Sequence, residues 1–323
     1  IETMQSFKQL WHANGHWYGW ADGFYIDGKK SNAPFEQLGS RIYDYGDDGI
    51  YQDQDVFLCV DRDTHDLWLW QDAWYLYRRS DGLIYGDGCH WPAQNGWVLV
   101  ESDKKSVHLV LLRSDGTRHV LHSSWGVGSP CVSPQGVLAF VSWNEDAMPW
   151  SETTVWLIEP NLSKSQCAIP SAAWMQPLWR DDGALLLLGD PEGRWQPYQY
   201  CRSSQSYSRY ISVSGEVGDA MWSRSSKHHG LLRGTWFGVT HYAGLPRWVM
   251  TDGQGKVVSH PLHGHEYQSF VTDKEFVYVR SQSDVGPVIT KFATSGQLLE
   301  TTGSPMNLQC RALWLPTDDG CVQ

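Results

Sequence analysis

The chain is 323 residues long and carries 25 Lys and Arg against 36 Asp and Glu, a formal net charge of −11. An acidic chain with no Lys/Arg stripe repels phosphate backbones and anionic lipid headgroups, which argues against nucleic acid or a membrane surface as partner. Its longest purely apolar run, Ala184 to Leu188, is too short to cross a bilayer, and 19 Trp, 15 Tyr and 9 Phe exclude a disordered chain.

Seven cysteines (Cys59, Cys89, Cys131, Cys167, Cys201, Cys310 and Cys321) are scattered, odd in number and never in a C-x-x-C pair. That pattern fits reduced thiols rather than a disulfide frame or a zinc site. The N-terminus has no basic patch followed by an apolar stretch, so no secretory signal is expected, and the expected compartment is the cytoplasm. The chain opens on Ile1, which leaves open whether Met4 is an initiator or an upstream piece has been removed.

Taken in chain order, the segments read as short strands. Residues 1–40 hold two candidates, Trp17 to Trp20 and Phe24 to Ile26. Alternating or wholly apolar runs follow at Val56 to Val60, Trp97 to Val100, Val107 to Leu112 and Phe276 to Val279, separated by Asp-Gly, Ser-Pro and Gly-Gln turn signals. Val, Trp and Tyr favour the pleated surface of a sheet, and helical periodicity is nearly absent. Units that open on an apolar strand start near Arg41, Gly82, Trp125, Trp174, Met221 and Glu266, 41 to 49 residues apart. A period of about 40–50 residues with four short strands per unit predicts an all-β fold, a β-propeller. Six blades are expected over 41–305. A seventh is expected to be shared by the chain ends, with residues 1–40 a partial blade completed by the 306–323 stretch around Leu313-Trp314-Leu315. No Pro- or Ser-rich linker interrupts the chain, so 1–323 reads as one domain.

The third and fourth units carry a more specific pattern. Ser129-Pro130-Cys131-Val132-Ser133-Pro134-Gln135-Gly136 precedes Trp143, the Glu145-Asp146-Ala147-Met148-Pro149-Trp150 loop and Thr154-Val155-Trp156-Leu157. Gln176-Pro177-Leu178-Trp179 and Gly193-Arg194-Trp195-Gln196-Pro197-Tyr198 come later, and Arg41-Ile42-Tyr43-Asp44-Tyr45-Gly46 earlier. Together these resemble, in order over residues 40–305, the propeller of acylaminoacyl-peptidase-like members of the prolyl oligopeptidase family. The resemblance implies the fold and a central channel. Those peptidases carry their chemistry in an α/β-hydrolase domain with a G-x-S-x-G nucleophile elbow, and the 323 residues contain no such motif.

In a propeller the first strand of every blade lines the channel, so side chains near the repeat starts converge. The expected lining is Tyr43, Asp44, Tyr45, Tyr85, His90, Trp91, Trp125, Ser129, Trp174, Gln176, Met221, Trp222, His265, Glu266 and Tyr267. Aromatic walls with a few acids and imidazoles suit a small molecule or short peptide; the plainer alternative is that the rings pack between blades. His260, His263 and His265 with Glu266 form the densest imidazole cluster, which matches no zinc signature, so no metal and no cofactor are expected. Glu145 and Asp146, flanked by Trp143 and Trp150, could hold a substrate cation by charge and cation–π attraction. The leading expectation is a free-standing, non-peptidase propeller that binds a peptide or amino-acid-derived molecule and serves a partner enzyme as accessory, gatekeeper or chaperone. One alternative is an enzyme whose funnel carries proton transfer or cyclisation through His265, Glu266 or Glu145. The other is the substrate-gating part of a longer serine peptidase.

Overall fold

The computed structural model describes residues 9–322, except 14, 36, 39, 43–44, 48, 104, 219–226, 243, 253–254, 304–314 and 318–319. Seven antiparallel sheets follow one another along the chain, six of them four-stranded meanders, while in the sixth sheet two short segments both pair with the same following strand. Their first strands are Gln9–Ala13, Ile50–Asp53, Ile84–Trp91, Gly126–Val132, Trp174–Trp179, the pair Glu216–Val217 and His229–Leu232, and Glu266–Thr272. From the second sheet to the sixth these first strands touch their neighbours in turn, and the first strand of the seventh sheet meets that of the first. The fold is an all-β, seven-bladed propeller, and among the described residues the one helical turn is Pro92–Gln94.

The sequence pattern explains the radial order. Second strands are covered on both faces by neighbouring sheets, so both parities must be apolar: Leu185 to Leu188 are all essentially inaccessible, as are Val98, Leu99 and Val100. Outermost strands face water and are polar. Lys164–Gln166 and Ser206–Arg209 are exposed along their whole length, and charged or hydroxyl edges of this kind discourage pairing with another chain.

The apolar core is accordingly a ring of interfaces rather than one centre. Tyr18, Phe24 and Phe57 fill the gap between the first and second sheets, with Tyr18 and Phe57 centroids 4.5 Å apart. Trp91 lies between the third and fourth sheets and donates its indole N–H to the Gly136 carbonyl at 2.8 Å. Trp179 reaches from the fifth sheet to the Cys131 carbonyl at 3.3 Å. Phe237, Trp248 and Phe292 stack between the sixth and seventh.

Two expectations about the chain ends need correction. Residues 9–30 form a four-stranded sheet by themselves, Gln9–Ala13 and Lys29–Lys30 being the strands that apolar alternation did not mark. The described C-terminal strand Leu315–Thr317 pairs instead with Gly320–Val322, while Leu313 and Trp314 lie outside the described residues. The unit placed at Arg41 opens with a small hairpin, Ser40–Ile42 with Tyr45–Asp47, and its sheet begins only at Ile50.

Candidate functional site

A cavity of about 480 Å³ lies on the propeller axis, lined by residues of the second to seventh sheets. Its walls come mainly from the middle and far end of each first strand, where the chain turns into the second.

Three adjacent blades share a device that aims side chains at this cavity. The first strands of the third, fourth and fifth sheets each slip register in mid-strand, at 86–88, 128–131 and 175–178. A residue in the left-handed region sits in each bulge: Asp87 (φ 43°), Ser129 (φ 54°) and Gln176 (φ 50°), and all three line the cavity. An inserted residue breaks the in–out alternation of the strand and re-aims a side chain. Non-glycine residues held at positive φ cost on the order of 1–2 kcal/mol each and concentrate at functional sites. Pro130 and Pro177 follow two of them, at positions where the ladder needs no N–H donor. Asp87 Oδ2 accepts the Ser129 backbone N–H at 2.5 Å, tying two bulges together.

His90, near the end of the third sheet's first strand, meets Asp53 of the second. The His90 Nδ1–Asp53 Oδ2 distance is 2.5 Å. The carboxylate can only accept, so Nδ1 carries the proton and donates it. The His90 ring packs 4.9 Å from the Trp97 ring, which fixes its plane. The Nε2 atom has no hydrogen-bond partner among the described residues.

Across the cavity the fifth and sixth sheets are joined through Gln176. Its Oε1 accepts the His228 backbone N–H at 2.8 Å, so its Nε2 donates to His228 Nδ1 at 2.9 Å. The Gln176 carbonyl receives His229 Nε2–H at 2.7 Å, while His229 Nδ1 accepts the Trp236 indole N–H at 3.2 Å. An indole can only donate, so His229 is the neutral Nε2–H tautomer. Burial lowers its pKa to about 4, consistent with that assignment.

The rest of the wall is apolar or weakly polar: Ile50, Leu178, Leu231, Phe237 and Phe270, with the Cys89 and Cys131 thiols. Burial pushes the pKa of both thiols up, which favours the protonated thiol over the nucleophilic thiolate. Among the described residues no group of three or more His, Cys, Asp or Glu side chains could hold a metal ion. Lys227 is the one lining cation among the described residues, against Asp53 and Asp87. No described helix is long and apolar enough to cross a membrane.

Of the residues singled out in the sequence, His90, Ser129 and Gln176 line the cavity. Tyr85, Trp91 and Trp174 are fully buried and Trp143 is 6% exposed, all within cores between sheets. Trp125 is 49% exposed. Glu145, His265 and Glu266 are exposed and Trp150 and Tyr267 partly buried, and none of the five lines the cavity. Strand direction explains this separation. The loop of Glu145 and Trp150 joins second to third strands, and His265 and Glu266 open a first strand, so both lie at the opposite end of their meanders from the turns beside Asp53 and His90. Tyr45 belongs to the small hairpin ahead of the second sheet. Tyr43, Asp44, Met221 and Trp222 lie outside the described residues.

Sequence reading missed Asp53, Asp87 and His229. The available signal was weak: Gly86-Asp87-Gly88 reads as a turn, yet it lies within a strand. Gly88 is required there, since a Cβ would fall 2.4 Å from a Leu99 methyl.

No family model matches the sequence, and no curated protein matches it. Solved structures do resemble it. A puromycin hydrolase superposes with TM-score 0.76 at 15% identity, over 96% of this chain and 56% of that one. A Mycobacterium tuberculosis puromycin-hydrolyzing peptidase gives 0.74 at 18%, over 92% and 53%. A prolyl endopeptidase gives 0.66 at 14%, over 99% and 54%. At such identities the likeness is one of fold: the chain resembles the propeller of prolyl oligopeptidase-family peptidases and spans just over half the length of those proteins.

Proposed function

We propose that this propeller binds a short peptide or amino-acid-derived small molecule in its axial cavity, as an accessory or gatekeeping module for a partner enzyme. The observation that carries this reading is the cavity itself. Six sheets contribute to one space of about 480 Å³, within the roughly 300–1,000 Å³ of small-ligand sites and far too small for a folded chain. Asp53, His90, Asp87 and Ser129 form a polar wall on the second to fourth sheets. Leu231, Phe237 and Phe270 form an apolar wall on the sixth and seventh. A ligand with a polar, preferably cationic head and an apolar side chain matches that division.

Calorimetric titration with di- and tripeptides and with aminoacyl amides tests it. Binding should weaken about tenfold in Phe270→Ala, the equivalent of about 1.4 kcal/mol. Absence of heat with every member of the panel overturns the reading.

A second reading is favoured by the lengths: nearly all of this chain superposes on just over half of each peptidase. The propeller would then select substrates for a hydrolase domain of the same polypeptide. Sequencing the gene beyond the codon for Gln323 decides it, an in-frame hydrolase supporting this reading and a stop codon removing it.

A further inference from the structure

We propose that the channel is itself an active site, in which His90 acts as a general base on small esters of amino acids or peptides. The proposal rests on the cavity being a ligand site, and adds chemistry to it. Three observations converge. The Asp53 carboxylate holds His90 Nδ1–H at 2.5 Å, which leaves the basic lone pair on Nε2. Nε2 has no hydrogen-bond partner among the described residues, and the ring that carries it lines the cavity and is braced by Trp97 at 4.9 Å. Ser129 lines the same cavity, and its hydroxyl oxygen is buried beside it with no hydrogen-bond partner among the described residues. An orphaned buried hydroxyl is costly to the fold, and this one is carried by a residue held at positive φ in a bulge. A base with its orienting carboxylate and an unused donor, both on residues lining one cavity, are two of the parts that acyl transfer uses.

The reaction written for this site is hydrolysis. His90 Nε2 takes a proton from water as the water oxygen bonds to the ester carbonyl carbon. The Ser129 hydroxyl donates to the developing oxyanion. The carbon–oxygen bond to the leaving alcohol then breaks, and the proton on Nε2 passes to the leaving oxygen. Ester and water give acid and alcohol, with no further reactant. Where the ester carries a free amine in reach of its own carbonyl, that amine replaces water and the product is a ring. Asp53 is a positioning residue: it sets the tautomer and stabilises the imidazolium.

The test uses the 323-residue chain with alanine 4-nitrophenyl ester and its N-acetylated form, following nitrophenolate release above the uncatalysed rate. Saturable turnover is expected. His90→Ala should lose at least about 10²-fold in kcat, with activity partly restored by free imidazole. Asp53→Asn should lower kcat with KM and melting temperature unchanged, and Ser129→Ala should lower kcat. His265→Ala, at the other end of its blade, should match the parent. Turnover unchanged in His90→Ala overturns the proposal, as does loss of turnover in that variant without imidazole rescue while the fold is intact by near-UV circular dichroism. Absence of turnover in the parent with calorimetric binding retained overturns the base and leaves the binding reading standing; absence of both removes both.

Discussion

The indole of Trp17 and the ring of Tyr278 meet edge to face, 5.1 Å between centroids and 87° between planes, and this contact joins the first sheet to the seventh. Among the described residues no strand is shared between these two sheets, so side-chain packing closes the ring. The Tyr278 hydroxyl donates to Asp273 Oδ2 at 2.9 Å, which anchors its side of the contact. Trp17→Ala and Tyr278→Ala should each lower stability. The double mutant should reveal a coupling of about 1 kcal/mol, typical of an aromatic pair. Urea unfolding of the four proteins measures it, and a coupling of zero would place closure elsewhere.

A second prediction concerns the third sheet. Glu101 is 1% exposed and is held by both the Nε and Nη2 of Arg118, the former at 3.1 Å. The bond to Glu101 raises the pKa of the guanidinium. Arg118→Met leaves a carboxylate buried without its partner and should cost about 3–5 kcal/mol. The double variant Glu101→Met/Arg118→Met should recover most of that loss. Equal stability of the single and double variants would show that the pair is not coupled.

Acid sensitivity follows from His229. Its folded-state pKa is lowered to about 4 by burial, while the unfolded chain titrates near 6.5. The unfolded state therefore binds more protons between these values. Stability is full above about pH 6.5 and falls as the pH drops toward about 4, by about 3 kcal/mol in all. Protonation would also put a hydrogen on Nδ1, which now accepts the Trp236 indole. Denaturant midpoints at pH 7.5 and 5 should separate in the parent and draw together in His229→Gln. An unchanged separation would assign the acid sensitivity to other groups.

The bulge at Ser129 predicts a trade between stability and function. Glycine adopts φ near 54° without the steric cost that serine bears there. Ser129→Gly should raise stability by up to about 1 kcal/mol while weakening ligand binding or turnover in the cavity. A destabilised Ser129→Gly would show that the hydroxyl supports the fold instead. The same strain falls on Asp87 and Gln176, so the three blades hold these side chains at the axis against their own backbone preference.

Much of this architecture was legible in the chain. The 41- to 49-residue beat, the wholly apolar second strands such as Leu185 to Leu188 and the polar outer strands are local consequences of which faces are covered. His90, Ser129 and Gln176 were placed at the axis because a first strand must line it. The Ser129-Pro130 and Gln176-Pro177 dipeptides that carried the family resemblance proved to be the bulges. The first sheet was harder, because Lys29–Lys30 is an outermost strand exposed to water and leaves no apolar trace.

Amino-acid order alone determined the propeller architecture with six of its blades, the radial gradient from apolar to polar, and the residue types available to the channel. Tertiary structure decided which of them act together. Asp53 and His90 are 37 positions apart, and Gln176 and His229 are 53 apart, so their pairing depends on the rotation between adjacent sheets and not on any sequence spacing. It also decided the depth along the axis, since strand direction sends Glu145, His265 and Glu266 to the end opposite His90. A periodic pattern encodes which face of a strand is covered, and meeting across blades is fixed only when seven sheets pack into a closed ring.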